Sequence, residues 1–323
     1  MGEIDQVQDR IAGVMLGTAV GDALGVPYEN STPPGPSQDA VMLGGGLGNF
    51  APGEWSDDTS MAVAVARVAA TGSDLRSTPA LDAIAEGFLA WYDGGPADIG
   101  IQTMAVLSGT RRRVDRGDGG ASQVMREEAQ RYARHHAHSA GNGAVMRTAA
   151  VAWAHLDDRE ACAEAAQAIA LLTHADPLAA ESCVIWSEAI RVAIVDGVFR
   201  MDAGLDVLPE ERRGAWAAWL ADAMSPTREP VPGRRFTPNG YTVTAVQAAV
   251  AAITLTTAPD SSHLAAALHA AVRIGHDTDT VAAIAGGLLG ARWGASAVPA
   301  VWRAAVHGWP GLTGEDLVAL AAR

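Results

Sequence analysis

The chain has 323 residues, half of them apolar (49%), and a net charge of −14. That is material for a sizeable core, and the acidic balance argues against a nucleic-acid backbone as the main partner. No lysine occurs anywhere, which excludes mechanisms that need one, such as a P-loop or Schiff-base chemistry.

The N-terminal stretch "IAGVMLGTAVGDALG" lacks the positive region of a signal peptide, and no apolar run is expected to reach the ~18 residues of a membrane span. A soluble cytoplasmic protein with no membrane partner is expected. Ile11, Val14 and Met15 begin a stripe at i, i+3, i+4 spacing. Thr18 interrupts it, and Ala19, Ala23 and Leu24 continue it. Similar Ala-rich amphipathic stretches follow at about 57–70, 79–92, 99–110, 121–136, 143–155, 159–173, 177–195, 209–223, 242–257, 262–272, 278–291 and 314–322. Alternating β-branched runs are scarce, so the expected fold is all-α, with residues 1–323 as a single domain.

Gly and Pro cluster in three loops, at 31–54, 111–120 and 225–240, and a loop as long as the first is usually functional or disordered. Ala and Gly within the helices predict close helix–helix approach. Cys162 and Cys183 lie in Ala-rich helical sequence and read as reduced core residues. Arg111, Arg112 and Arg113 read as a solvated helix end, where positive charge suits the dipole. Most of the nine tryptophans read as core packing.

Two acidic segments open apolar helices: "WSDDTSMA" (55–62) and "GHDTDTVAAIAGGLLGA" (275–291). One such segment alone is an ordinary N-cap, with Ser or Asp accepting from free backbone N–H groups. Two of them change the expectation. Asp57 and Asp58 are adjacent and cannot both serve one cap. Asp57, Asp58, Asp277 and Asp279 brought together without a counter-ion would repel strongly. Oxygen-only donors of this kind suit Mg²⁺, Mn²⁺ or Ca²⁺, and four carboxylates are enough for two ions. An EF-hand starting at Asp277 would need Gly and Glu where the chain has Ala282 and Leu288, so that reading fails. The pattern Asp-x-Asp-x-Val also occurs in haloacid-dehalogenase phosphatases, but there it follows a hydrophobic strand. "SAGNGAVMR" (139–147) is a Gly-containing turn that can also cradle phosphate where it enters a helix.

"GDALGVPYE" (21–29), "WSDDTSMA", "DIGIQT" (98–103), "GNGAVMRTA" (141–149) and "GHDTDTVAAIAGGLLGA" together resemble the ADP-ribosylglycohydrolase family, in the family's order and over nearly the whole chain. The resemblance implies a compact, orthogonal all-α multi-helix bundle with two divalent cations, Mg²⁺ or Mn²⁺, in a cleft. It maps the metal ligands to Ser56, Asp57, Asp58, Asp277, Asp279 and Thr280, with Ser56 standing where many members carry Thr. It implies Glu29 and Asp98 as the acid/base carboxylates. Taken alone, Glu29 also reads as a solvated loop-edge residue and Asp98 as an N-cap near Ile99. Asp22 is expected to hold metal waters or a neighbouring loop. Ser139, Gly141, Asn142 and Gly143 are the candidates for the phosphate cradle. His174 either caps carbonyls at a helix end or faces the ligand, and Tyr241 is a candidate to stack on adenine.

The activity implied is hydrolysis of the glycosidic bond between ADP-ribose and an acceptor, so ADP-ribose or an ADP-ribosylated protein or small molecule is the expected partner. Such a reaction passes through an oxocarbenium-like transition state. The alternative is a non-catalytic ADP-ribose-binding or crystallin-like structural protein, since a fold alone does not establish catalysis.

Overall fold

The computed structural model describes residues 3–322. Its helices are α1 (Glu3–Gly25), α2 (Asp57–Ala69), α3 (Thr78–Asp93), α4 (Ile101–Val114), α5 (Ala121–His135), α6 (Val151–Ala154) and α7 (Arg159–Ala170). They continue as α8 (Pro177–Asp196), α9 (Glu210–Met224), α10 (Thr242–Thr254), α11 (Ser262–Ile274), α12 (Thr278–Trp293), α13 (Ala300–Ala305) and α14 (Gly314–Ala321). The only regular sheet among the described residues is a two-stranded hairpin, β1 (His307–Gly308) with β2 (Leu312–Thr313).

The centre of the bundle is the antiparallel pair α1 and α12, with α2, α8, α10, α11 and α14 packed around it. Small residues let the pair approach backbone to backbone. A Cβ on Gly17 would overlap the Gly286 carbonyl oxygen, and a Cβ on Gly286 would overlap that of Gly17. The same holds between Gly13 and Gly290, and a Cβ on Gly21 would overlap the Ala282 carbonyl oxygen. At the end of α1, Gly25 lies against the backbone of Asp279. Glycine at every fourth position therefore makes one face of α1 a flat strip, which delivers the end of α1 to the start of α12.

Asp5–Tyr28 is, against the sequence expectation, long and apolar enough to cross a membrane by length and composition. That apolarity is turned inward: 89% of its most apolar window is buried inside the bundle. Residues 143–155, expected as one helix, are a 3₁₀ turn (Val145–Arg147) followed by the single turn of α6. The Asn142 N–H donates to the Gly240 carbonyl and its side chain to the Asn239 carbonyl, so tertiary bonds override the local helical preference. The six-residue α13 was not visible in the periodicity, and α4 runs on through the three arginines. Arg111 and Arg113 end in ion pairs with Asp93, Asp115, Asp118, Glu127 and Glu128. Both cysteines are free and buried.

The 31–54 segment has almost no regular structure but is tied down. The Ala40 N–H donates to His269 Nδ1, that of Val41 to Tyr28 Oη, and Arg273 holds the Gln38 carbonyl and Asp39.

Candidate metal centre and substrate cleft

The two acidic segments meet. Thr280 Oγ1, from the first turn of α12, donates to Asp58 Oδ2 at 3.3 Å, and Ser56 Oγ donates to the same oxygen at 3.2 Å. Residues more than 220 positions apart thus share one carboxylate. Neither segment does what an N-cap does. Ser56 and Asp277 stand at the N-cap positions of α2 and α12, and neither side chain makes a capping hydrogen bond. At α2 the work is done from outside: Asp22 of α1 accepts from the Ser56 N–H (2.9 Å), the Thr59 N–H (3.0 Å) and Thr59 Oγ1 (2.6 Å). At α12, Thr278 Oγ1 donates to the Gly25 carbonyl (2.8 Å), satisfying a free acceptor at the end of α1. The capping oxygens of the two acidic segments are left for another use.

Asp22, Asp58 and Asp279 offer carboxylate oxygens within 4.8 Å of one another, all buried; Glu29, Asp277 and Asp279 form a second such group. Asp279 belongs to both. Asp58 Oδ1 and Asp279 Oδ1 are buried with no hydrogen-bond partner. Among the described residues, none of these carboxylates is in an ion pair. Two orphaned oxygens in an uncompensated acidic cluster fit hard divalent cations, since an anion buried without partners is costly.

The cost shows in the protonation equilibria. Burial, then the charges of Asp277, Asp98 and Asp57, pushes Glu29 up to about 8. Burial, then Asp98, Asp22 and Asp277, pushes Asp57 up to about 8 as well. Burial likewise raises Asp22, Asp58, Asp277 and Asp279.

Asp57 and Asp98 lie on one flank. Asp57 lies beside Gly100 at the start of α4, and Asp98 lies beside Glu29. Asp98 does not cap α4; its Oδ1 accepts from the next residue, Ile99 N–H (2.8 Å), and Gly100 is the N-cap. Both carboxylates border a cavity of about 220 Å³ with aromatic walls from Phe50, Trp55, Trp91 and Trp309. Glu29 is half-buried. The Asn30 N–H bonds to the His276 carbonyl (2.7 Å), so Glu29 is held beside the second acidic segment and is not a free loop edge.

On the other flank the glycine loop is anchored to the acids. Asn142 Nδ2 donates to Asp277 Oδ2 at 2.7 Å, and Asn239 Oδ1 accepts from the Asp277 N–H at 3.0 Å. Asn239 also donates to the Gly275 carbonyl (3.1 Å), so it clamps the turn that precedes Asp277. Here Ser139, Gly141, Gly240 and the exposed Tyr241 line a cavity of about 640 Å³. Ser139 Oγ bonds to Asp176, the N-cap of α8. His174 is buried directly under Gly141 and Gly143; a Cβ at either glycine would come within 3.3 Å of its Nε2.

All sequence-predicted residues therefore gather in one region. Sequence reasoning gave Asp22 only a supporting role and missed Asn239, although the four-residue glycine spacing around Asp22 was a readable sign of a tight helix contact. The family profile described as ADP-ribosylglycohydrolase matches residues 3–323. The chain belongs to the ADP-ribosylglycohydrolase family. It is accordingly a hydrolase of ADP-ribose glycosidic linkages. It is 25% identical over 92% of its length to an ADP-ribosylarginine hydrolase Tri1 of Pseudomonas putida (strain GB-1), covering 74% of that protein. It is 29% identical to the ADP-ribosyl-[dinitrogen reductase] glycohydrolase of Rhodospirillum rubrum, over 92% of this chain and 90% of the other. A solved ADP-ribosylglycohydrolase-related protein complex superposes with a TM-score of 0.69 at 28% identity, covering 98% of this chain and 97% of the other.

Proposed function

We propose that this family member is a single-domain enzyme that removes ADP-ribose from a modified arginine side chain, working with two divalent cations, Mg²⁺ or Mn²⁺. The observation that carries the reading is the shared Asp58 carboxylate with its orphaned neighbour Asp279, since it joins two remote segments around oxygens that lack any partner. One cation would be held by Asp22, Asp58 and Asp279 and the other by Asp277 and Asp279, with Ser56, Asp57 and Thr280 as adjoining donors and Glu29 beside the second but outside its ligand set. Bound cations supply neutralisation of the carboxylates, a grip on the ribose diol and acidification of water.

The chain's own groups perform the rest. The ADP end of the substrate takes the larger cavity, where the Gly141 backbone lines the wall, Tyr241 offers an aromatic face for adenine, and Asn142, its N–H held by the Gly240 carbonyl, anchors the loop. The leaving group takes the smaller one. Its tryptophan walls and the carboxylates of Asp57 and Asp98 are complementary to a planar guanidinium. Glu29, pushed up to about 8, holds a proton at neutral pH in the cation-free site and lies beside Asp98. It is placed to protonate the departing nitrogen, while Asp98 steadies its orientation. Arginine as acceptor is also supported by the Tri1 relatives, whose names state that substrate. The carboxylates assigned to hydrolysis cluster in the cleft, which supports the enzyme reading over the crystallin-like alternative.

The experiment is release of ADP-ribose from ADP-ribosylated arginine and serine peptides, with and without Mg²⁺ or Mn²⁺. Cation-dependent release from arginine is expected, with slower release from serine. Binding without turnover on either peptide would sink the reading.

A further inference from the structure

Arg147 is fully buried, yet among the described residues it meets no carboxylate in an ion pair. Its guanidinium lies over the Phe88 ring at 4.5 Å, with Nη1 3.7 Å from Met61 Sδ and Nε without a partner. Burying a cation in that way is costly, and what it gains is on Nη2. That nitrogen donates to Thr173 Oγ1 at 2.6 Å and more weakly to the Ile169 carbonyl at 3.4 Å. Thr173 Oγ1 is in turn 2.7 Å from His174 Nδ1.

The direction of that last bond follows from counting protons. The Thr173 hydroxyl has one proton, and its only acceptor among the described residues is His174 Nδ1. Were Nδ1 protonated, two donors would face Oγ1 and the hydroxyl proton would be buried with nothing to meet it, a loss of about 1–3 kcal/mol. The neutral imidazole then carries its proton on Nε2. His174 stays neutral, because burial, then the Arg147 charge, pushes it down to about 3. Nε2 makes no hydrogen bond among the described residues and sits under Gly141 and Gly143. Gln102, donating to the Thr173 carbonyl at 3.0 Å, fixes the segment.

We propose that Arg147 is a positioning residue: through Thr173 it fixes His174 as the Nε2–H tautomer and presents that proton to an anionic phosphate oxygen at the glycine loop. The ligand half of this proposal rests on the reading that the cleft takes ADP-ribose. The tautomer half does not.

Long-range ¹H–¹⁵N spectra of the whole protein read the ring directly. The wild type is expected to show Nε2–H, Thr173→Val a mixture or the Nδ1–H form, and Thr173→Ser the wild-type pattern. Arg147→Met is expected to lose the bias, whereas Arg147→Gln, which keeps an N–H donor, retains it. ADP-ribose titrated into Thr173→Val should bind about tenfold more weakly, with kcat on saturating substrate changed less, and Thr173→Ser should restore affinity. An Nδ1–H or doubly protonated ring in the wild type, or an unchanged tautomer in Thr173→Val, overturns the proposal. An Nε2–H ring in a wild type that binds no ADP-ribose overturns its ligand half together with the assignment of the cleft.

Discussion

Asp58→Asn tests the cation site without relying on turnover. Asp58 is buried at the meeting point of the two acidic segments, and burial and its neighbours Asp22 and Asp57 hold its carboxyl well above the usual range. Burial therefore favours the neutral acid in the cation-free protein, and asparagine is nearly isosteric with that acid. Little change in cation-free stability is expected. With cation present the two proteins should separate. At 100 times its Kd a ligand adds about 2.7 kcal/mol, which at roughly 1.5 °C per kcal/mol for a chain of 323 residues raises Tm by about 4 °C. The variant, short of one charged donor at the first cation, should gain clearly less than the wild type.

The pH dependence has a definite sign. Glu29 and Asp57 titrate near 4.5 and 3.8 in the unfolded chain and near 8 in the fold. Their contribution is fully present below about 4 and is lost as pH rises through 8. The cation-free protein should weaken over that window, and the gain from cation should grow across it, because the ion binds the ionised form. The assay is thermal denaturation of chelator-treated protein with and without Mn²⁺ or Mg²⁺ at pH 5 and pH 8. A variant that keeps the wild-type gain, or a wild type with no gain at pH 8, would refute the reasoning.

Three further outcomes are expected. Gly286→Ala places a methyl group against the Gly17 carbonyl; overpacking of about 1–3 kcal/mol should exceed the ~1 kcal/mol of added helix propensity, and urea denaturation showing a more stable variant would contradict this. Glu29→Gln should lower kcat by about 10²–10⁴-fold while an ADP-ribose titration still shows binding; an unchanged kcat removes Glu29 from proton transfer. Trp309→Leu should raise KM for ADP-ribosylated arginine more than for ADP-ribosylated serine, and equal effects on both would remove the aromatic cavity from acceptor recognition.

What the sequence disclosed and what it hid divide along a physical line. Helix periodicity is a local property, so nearly every long helix was legible, from the Ile11–Leu24 stripe to α12. Residues 143–155 were not, because Asn142 is bound to Gly240, Asn239 and Asp277, partners about a hundred positions or more away. The acidic segments were conspicuous as residue types, but their departure from capping was not. Only the structure shows Asp22 standing in as the acceptor for α2. Arg147 looked like one more arginine in a small-residue run; nothing in "AVMRTA" indicates that it is buried against Phe88 and hydrogen-bonded to Thr173.

The register of α1 against α12 then becomes a functional quantity and not only a packing one. Gly13, Gly17 and Gly21 oppose Gly290, Gly286 and Ala282 in turn, and that series ends with Gly25 on Asp279. Asp22 lies on the same last turn, so the register sets its distance from Asp279 as well as its reach to Ser56 and Thr59. A slip of one helical turn would move Asp279 by about 5.4 Å along the axis. The oxygens of Asp22, Asp58 and Asp279 lie within 4.8 Å of one another, so such a slip is larger than the whole cluster and would leave no site for a single ion. Glycine at every fourth position of α1 leaves no side chain on that side of the seam to be repacked in another register, while the overlaps that a Cβ there would create require the two backbones to stay close. The same small residues that close the core therefore determine whether three acids from three helices can act as one ligand set.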